Sequence, residues 1–349
     1  MKTSIIGMGW ATPLGRSLTA VWEAVRDGRR VEPGTLENPF DRRVFPVLRV
    51  PEDCIDDVAR LPRLRRSSAI SHYAVAAAAD AATAAGLDAG QLARTALVFV
   101  ASDGGVVYTR RFYADVVERG PAAGSPLLFP ETVYNAPASH IAARLGLAGE
   151  SLTLVGDAAT SLAALRTGCD LIAADEADYC LIAAAQELDW ITCEAYVRRG
   201  LIRSGSTTEG TVFSEGAAAI VLAREGGCNL QASHPGNSYT TNKDAAVCLD
   251  ALVADLVKDR DPGLVIRSAS GKELEAAENR ILTRRLPHAR SISPKSTLGE
   301  SLACSAIQHL IIGAMALKEA VSPTQALIPA IGFNGQMAAL VLTGEDSKA

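Results

Sequence analysis

Apolar residues along the chain fall into two recurring kinds of run. Short unbroken runs of strand length, such as TALVFVASD (Thr95 to Asp103), DYCLIAAAQ and EGAAAIVLARE (Glu215 to Glu225), alternate with longer alanine-rich stretches at helical spacing. Unbroken apolar strands belong in the middle of a sheet that is covered on both faces. TSIIGMGW, near the start, reads as another strand, and SLTAVWEAVRDG as a helix stopped by Gly28. SHYAVAAAADAATAAGL (Ser71 to Leu87) has a serine N-cap candidate, strong helix formers and a glycine stop. SLTLVGD then turns sharply into the long helix AATSLAALRTGCDLIAADEA. The second part is a shorter version of the first: a strand in GLVIRSASG (Gly263 to Gly271), a helix over Leu302 to Ala320 and a closing hairpin in GFNGQMAALVLTG. This β-α-β-α order, given twice, predicts a layered α/β architecture with helices enclosed between sheets. The polar stretch from about Gly226 to Asp261 reads as irregular and as the seam, giving an N-terminal unit of residues 1–230 and a shorter C-terminal unit of residues 231–349.

Composition narrows the class without changing that picture. The chain has 349 residues, 48% of them hydrophobic and 21% charged, as expected for a globular protein with a substantial core. Net charge is −5, and the densest basic run, LPRLRR (Leu61 to Arg66), is too short to argue for nucleic acid. The seven cysteines form no C-x-x-C pair, so neither a zinc site nor a disulfide framework is expected. Cys169 and Cys193 read as buried free thiols, which suits a reducing cytoplasm. The N-terminus reads as a first strand rather than a signal peptide, and no segment is apolar for the length of a membrane span. The expectation is a cytoplasmic protein without metal or nucleotide cofactor.

Six segments, in order, resemble the ketosynthases (β-ketoacyl-ACP synthases) of the thiolase-like fold. IIGMGWATPLGRSLTAVWEAVRDG looks like their opening strand and helix, and ASHIAARLGLAGESLTLVGDAATS like the approach to their nucleophile. DEADYCLIAAAQE, GTVFSEGAAAIVL, SPKSTLG and GFNGQMAALVL resemble the following strand, the G-F-V-x-G-E-G-A-G segment, the lysine loop and the glycine-rich hairpin. The resemblance implies a layered αβαβα fold made of two related halves. It also implies chemistry built on one cysteine at the N-terminus of a buried helix and two histidines. The cysteine takes an acyl chain from an acyl carrier protein as a thioester, and the histidines stabilise the enolate formed as malonyl-ACP loses carbon dioxide.

At all three places this sequence departs from the pattern. Ala159 stands at the cysteine position, Ser270 at the first histidine and Glu300 at the second, while Lys295 and Gly299 of the lysine loop are kept. Alanine cannot form a thioester, and losing even one oxyanion donor costs on the order of 100-fold in rate. The resemblance is therefore to catalytically silent members, the chain-length factors, which pair with an active ketosynthase and shape its acyl tunnel. It implies a heterodimer, with the carrier protein's phosphopantetheine arm held mainly by the partner. Tyr108 and Phe112, one helical turn apart, and Trp190 are candidates for the tunnel stop. Phe213 and Phe333 are expected to fill space around Ala159, Lys295 to pair with Glu300 or another carboxylate, and Asp157 to cap the helix. Two alternatives stay open: an enzyme of altered chemistry (malonyl decarboxylase or acyl-thioester hydrolase, with Ser161 and His140 as its candidate pair), or a homodimeric acyl- or carrier-binding scaffold.

Overall fold

The computed structural model describes residues 3–203, 210–319 and 324–344. The first part runs β1 (Thr3–Ala11), α1 (Leu18–Arg26), β2 (Gly34–Glu37), β3 (Val44–Leu48), α2 (Asp56–Ala59), α3 (Ala69–Ala84), α4 (Ala89–Ala93) and β4 (Thr95–Ala101). It continues with α5 (Val106–Arg119), α6 (Ala136–Leu145), β5 (Ser151–Val155), α7 (Ala158–Ala173), β6 (Tyr179–Gln186), α8 (Trp190–Arg198), β7 (Phe213–Ser214) and β8 (Gly216–Ala223). The second part is β9 (Cys228–Ser238), α9 (Asn242–Val257), β10 (Leu264–Ile266), α10 (Lys272–Arg285), β11 (Arg290–Ile292), α11 (Lys295–Leu298), α12 (Ala303–Glu319), β12 (Gln325–Ile331) and β13 (Gln336–Thr343).

Among the described residues ten strands form one sheet in the order β11-β10-β12-β13-β9-β1-β8-β6-β4-β5. Each part contributes five strands in the same order, first-fifth-fourth-second-third, with the fifth antiparallel to its neighbours and the others parallel where they meet. The two parts join where Thr3–Ile5 pairs with Cys228–Leu230. Helices α7 and α12 pack on each other and against strands of both parts, while α3 and α6 cover one outer face and α9 and α10 the other. The result is the expected αβαβα layering, with one core between the two five-stranded halves of the sheet and one under each outer helical layer.

Close packing explains the composition of the first strand and helix. A Cβ at Gly7 would sit 2.2 Å from Ala81 O, and one at Gly9 would sit 2.3 Å from Ala77 O. Glycines in β1 and alanines along α3 let the two backbones approach. Helix α3 begins at Ala69 with Ser68 as its N-cap, three residues before the expected cap at Ser71. Helix α12 ends at Glu319; Ala320 lies outside the described residues.

The expected irregular seam is corrected. Residues 228–238 form β9, which pairs with β13 and crosses the boundary expected at 230/231, and residues 242–257 form α9. Ala245, Leu249, Leu252, Val253 and Leu256 recur at helical spacing and bury one face of α9.

Candidate functional site

The turn after β5 delivers Asp157 to the head of α7 as its N-cap. One carboxylate oxygen accepts from Ala158 N at 2.7 Å, and the other accepts from Phe333 N at 2.6 Å in the β12–β13 turn. Gly332 permits this approach, since a Cβ there would lie 2.9 Å from the carboxylate. Asp157 is buried; burial first, and then the nearby Glu300 carboxylate, push its pKa up to about 6. Ala159 follows, half-buried, presenting only a methyl group at the turn.

Three more of the singled-out residues meet in one network. Lys295 Nζ lies 2.5 Å from Glu300 Oε2, donates to Ser270 Oγ at 3.0 Å and also donates to the carbonyl of Ser268. Ser270 Oγ donates to the same Glu300 oxygen at 2.9 Å. The other oxygen of Glu300 accepts from Leu302 N and Ser305 Oγ, each at 2.8 Å. The backbone of Glu300 is anchored as well, accepting from Ser214 N and donating to Val212 O beside β7. With side chains 11% and 3% exposed, Lys295 and Glu300 are a buried pair rather than a surface one, and every carboxylate oxygen is satisfied. Ser270 and Lys295 face a cavity of about 460 Å³ that Arg203, Thr211, Val212 and Arg267 also line.

Aromatic side chains close the space beside this network. Phe213 on β7 and Phe333 in the hairpin turn stand 6.3 Å apart between ring centroids, and Tyr196 on α8 bridges them at 4.9 and 5.8 Å. Trp190 packs on the edge of the same cluster, with Phe40 against its ring. Tyr108 and Phe112 do share a face of α5, but their ring partners are elsewhere: the Arg111 guanidinium over Tyr108, and Tyr113 and Phe129 around Phe112. The five aromatic candidates thus form two groups, three by the head of α7 and two on α5. Tyr196 was missed by the sequence reading, although Trp190, Cys193 and Val197 around it recur at helical spacing.

The Ser161 and His140 pairing is not assembled. Ser161 Oγ donates to Ala303 O at 2.7 Å and ties α7 to α12, whereas His140 Nε2 sits 2.7 Å from Glu131. Burial pushes the thiols of Cys180, Cys193 and Cys304 up to about 12, which disfavours a thiolate at each. Cys169 is half-buried and lines a second cavity, so it is not the enclosed thiol expected. His309 on α12 is fully enclosed, and burial, then Lys295, hold its imidazole neutral. No cluster of three metal-ligating side chains occurs among the described residues, nor any helix long and apolar enough to cross a membrane.

A family profile described as "Beta-ketoacyl synthase, N-terminal domain" matches residues 2–226. Among curated proteins, the 3-oxoacyl-[acyl-carrier-protein] synthase 2 of Coxiella burnetii is 25% identical over 193 residues, 54% of this chain and 46% of the relative. That of Vibrio harveyi is 24% identical over 192 residues, 53% of this chain and 46% of the relative. The chain spans about half the length of the curated relatives it matches. In fold it is similar to "The ishigamide ketosynthase/chain length factor", with a TM-score of 0.83 at 18% identity over 99% of this chain and 100% of that one. A TM-score of 0.81 at 13% identity, over 98% of both chains, relates it to "Ketosynthase (ApeO) in Complex with its Chain Length Factor (ApeC) from Xenorhabdus doucetiae".

Proposed function

Because the chain belongs to the β-ketoacyl synthase family, we propose that it is a non-catalytic subunit of chain-length-factor type, which pairs with an active ketosynthase and forms part of the wall of its acyl tunnel. The observation that carries this reading is the closed state of the site. Where a nucleophile would stand there is Ala159, and the two backbone N–H groups at the turn are already taken by the Asp157 carboxylate. Ser270, Lys295 and Glu300 satisfy one another instead of offering donors to a developing enolate. An ionised Glu300 or Asp157 would oppose such an anion.

A second observation supports the need for a partner. Strand β5 is one of the two edge strands of the ten-stranded sheet and carries Val155, 55% exposed, and Val117 on α5 and Leu127 and Phe129 after it are 81%, 65% and 55% exposed. An unpaired strand edge and large exposed apolar side chains are features that protein interfaces cover. On this reading the partner supplies cysteine and histidines and holds the phosphopantetheine arm of the carrier protein, and this chain supplies wall and stability. The pathway is of type II polyketide or fatty-acid-like character.

The test is co-expression with an intact ketosynthase from the same source, tagging only this chain. A stable one-to-one complex that extends a malonyl-ACP-derived chain is expected. Purification as a self-sufficient homodimer that ignores the ketosynthase would overturn the reading.

A further inference from the structure

Helix α5 runs for 14 residues and fully encloses none of its apolar side chains: Val117 is exposed, and Val106, Val107, Tyr108, Phe112 and Val116 are half-buried. Phe112 packs on Phe129, and beside that contact the helix is anchored by one tetrapeptide, Gln186-Glu187-Leu188-Asp189, which begins at the last residue of β6. Glu187 is buried and accepts from Val107 N at the head of α5 at 2.9 Å. Its other oxygen accepts from Ser68 Oγ at 2.5 Å and Ile70 N at 3.0 Å at the head of α3. Gln186 donates to Asp103 in the loop leading to α5 at 2.9 Å.

The last residue of the tetrapeptide makes the decisive contact. Arg110 Nε, one turn into α5, donates to both oxygens of Asp189, at 3.0 and 2.8 Å. Asp189 is 5% exposed and Arg110 34%, so the pair is partly shielded from solvent. The same carboxylate caps α8 through Ile191 N at 3.1 Å, and α8 carries Trp190 and Tyr196 of the aromatic cluster. One side chain thus anchors the surface helix and starts the helix that lines the site.

We propose that Asp189 and Arg110 are positioning residues that set α5 against the partner subunit and tie its placement to the aromatic wall, so that they govern partner affinity and product length. This rests on the heterodimer reading above. A charge-assisted contact at a partly buried joint is strong enough to choose between helix positions, and a residue that acts through another typically changes coupling between about 2-fold and 30-fold. Arg110→Gln removes the cation while leaving the buried Asp189 and its cap in place.

The experiment compares wild type, Arg110→Gln and Arg110→Lys. In the isolated chain, faster amide exchange across residues 106–119 in Arg110→Gln, with α3 unchanged, and a lowered melting temperature that Arg110→Lys restores in part, are expected. In the complex, we expect the dissociation constant to rise about tenfold and the product lengths to broaden, with Arg110→Lys recovering part of both. Unchanged affinity and product length in Arg110→Gln would overturn the proposal, as would amide exchange that speeds up in α3 as much as across residues 106–119. Failure of wild type itself to bind any ketosynthase is a different result: it sinks the heterodimer reading, while the exchange data still decide whether Arg110 holds α5.

Discussion

Replacing Asp157 by asparagine separates the two things this carboxylate does at the head of α7. Shifted from an ordinary value of 3.8 to about 6, it opposes folding by about 3 kcal/mol once fully ionised. The sign follows from the raised value. Below the unfolded-state pKa the group is neutral in both states and carries no penalty. The penalty grows as pH rises and is complete above the folded-state value, so wild-type stability falls through that window. Between about pH 5 and about pH 8 the growth amounts to about 1.4 kcal/mol. Asparagine has no such dependence, but it can accept only one of the two N–H groups, from Ala158 or Phe333, that Asp157 satisfies. The orphaned donor costs about 1–3 kcal/mol at every pH. Urea unfolding of both proteins at the two pH values is the assay. Asp157→Asn is expected to lie within about 1.5 kcal/mol of wild type at about pH 5, and to gain about 1.4 kcal/mol relative to wild type by about pH 8. Acids that do not interact with Asp157 titrate alike in both proteins and cancel in the difference. A stability difference that does not change with pH would refute the placement of an ionisable, desolvated carboxylate at this turn.

Three further outcomes follow from the packing and the surface. Lys295→Met leaves the enclosed Glu300 without its cation and should cost about 3 kcal/mol in chemical denaturation, with the Lys295→Met/Glu300→Gln double variant losing less than the sum. Gly7→Ala forces a methyl group to within 2.2 Å of Ala81 O and should lower stability by at least about 1–3 kcal/mol, read as a drop in melting temperature. Val117→Asp, at a position 81% exposed, should leave the isolated chain's unfolding unchanged while weakening the ketosynthase complex about tenfold by equilibrium sedimentation.

The apolar runs of β4, β6 and β8 announce themselves because their environment is uniform along their length, and α1, α3 and α7 because helix-forming residues carry a buried face at helical spacing. Strand β9 escaped because its side chains alternate and Pro235 and Gly236 interrupt it; a Cβ at Gly236 would lie 2.6 Å from Met337 O, so the glycine serves a close approach to β13 and not a loop. Helix α9 is legible in its spacing of leucines, but the polar residues between them give the segment the composition of a loop.

The site divides in the same way. Ala159, Ser270, Lys295 and Glu300 could be named from motif order, and the structure brings Ser270, Lys295 and Glu300 into direct contact. The role of Asp157 as a cap was readable, but its second bond, to Phe333 N, joins residues far apart in sequence and exists only once the closing hairpin has folded over α7. Glu187 and Asp189 were invisible for the same reason. Their partners are the heads of α3 and α5 and the side chain of Arg110, and no local pattern records that meeting.

The central claim is that this chain shapes a reaction whose chemistry belongs to another subunit. Its most direct test is to load the reconstituted heterodimer with acyl carrier protein and locate the covalent acyl group on each intact chain by mass spectrometry. The account predicts acylation of the ketosynthase cysteine alone, with all product lost when that cysteine is replaced and none of it lost through acyl transfer to this chain. An acyl group found on any residue of this chain, or product formed without the partner's cysteine, would contradict it.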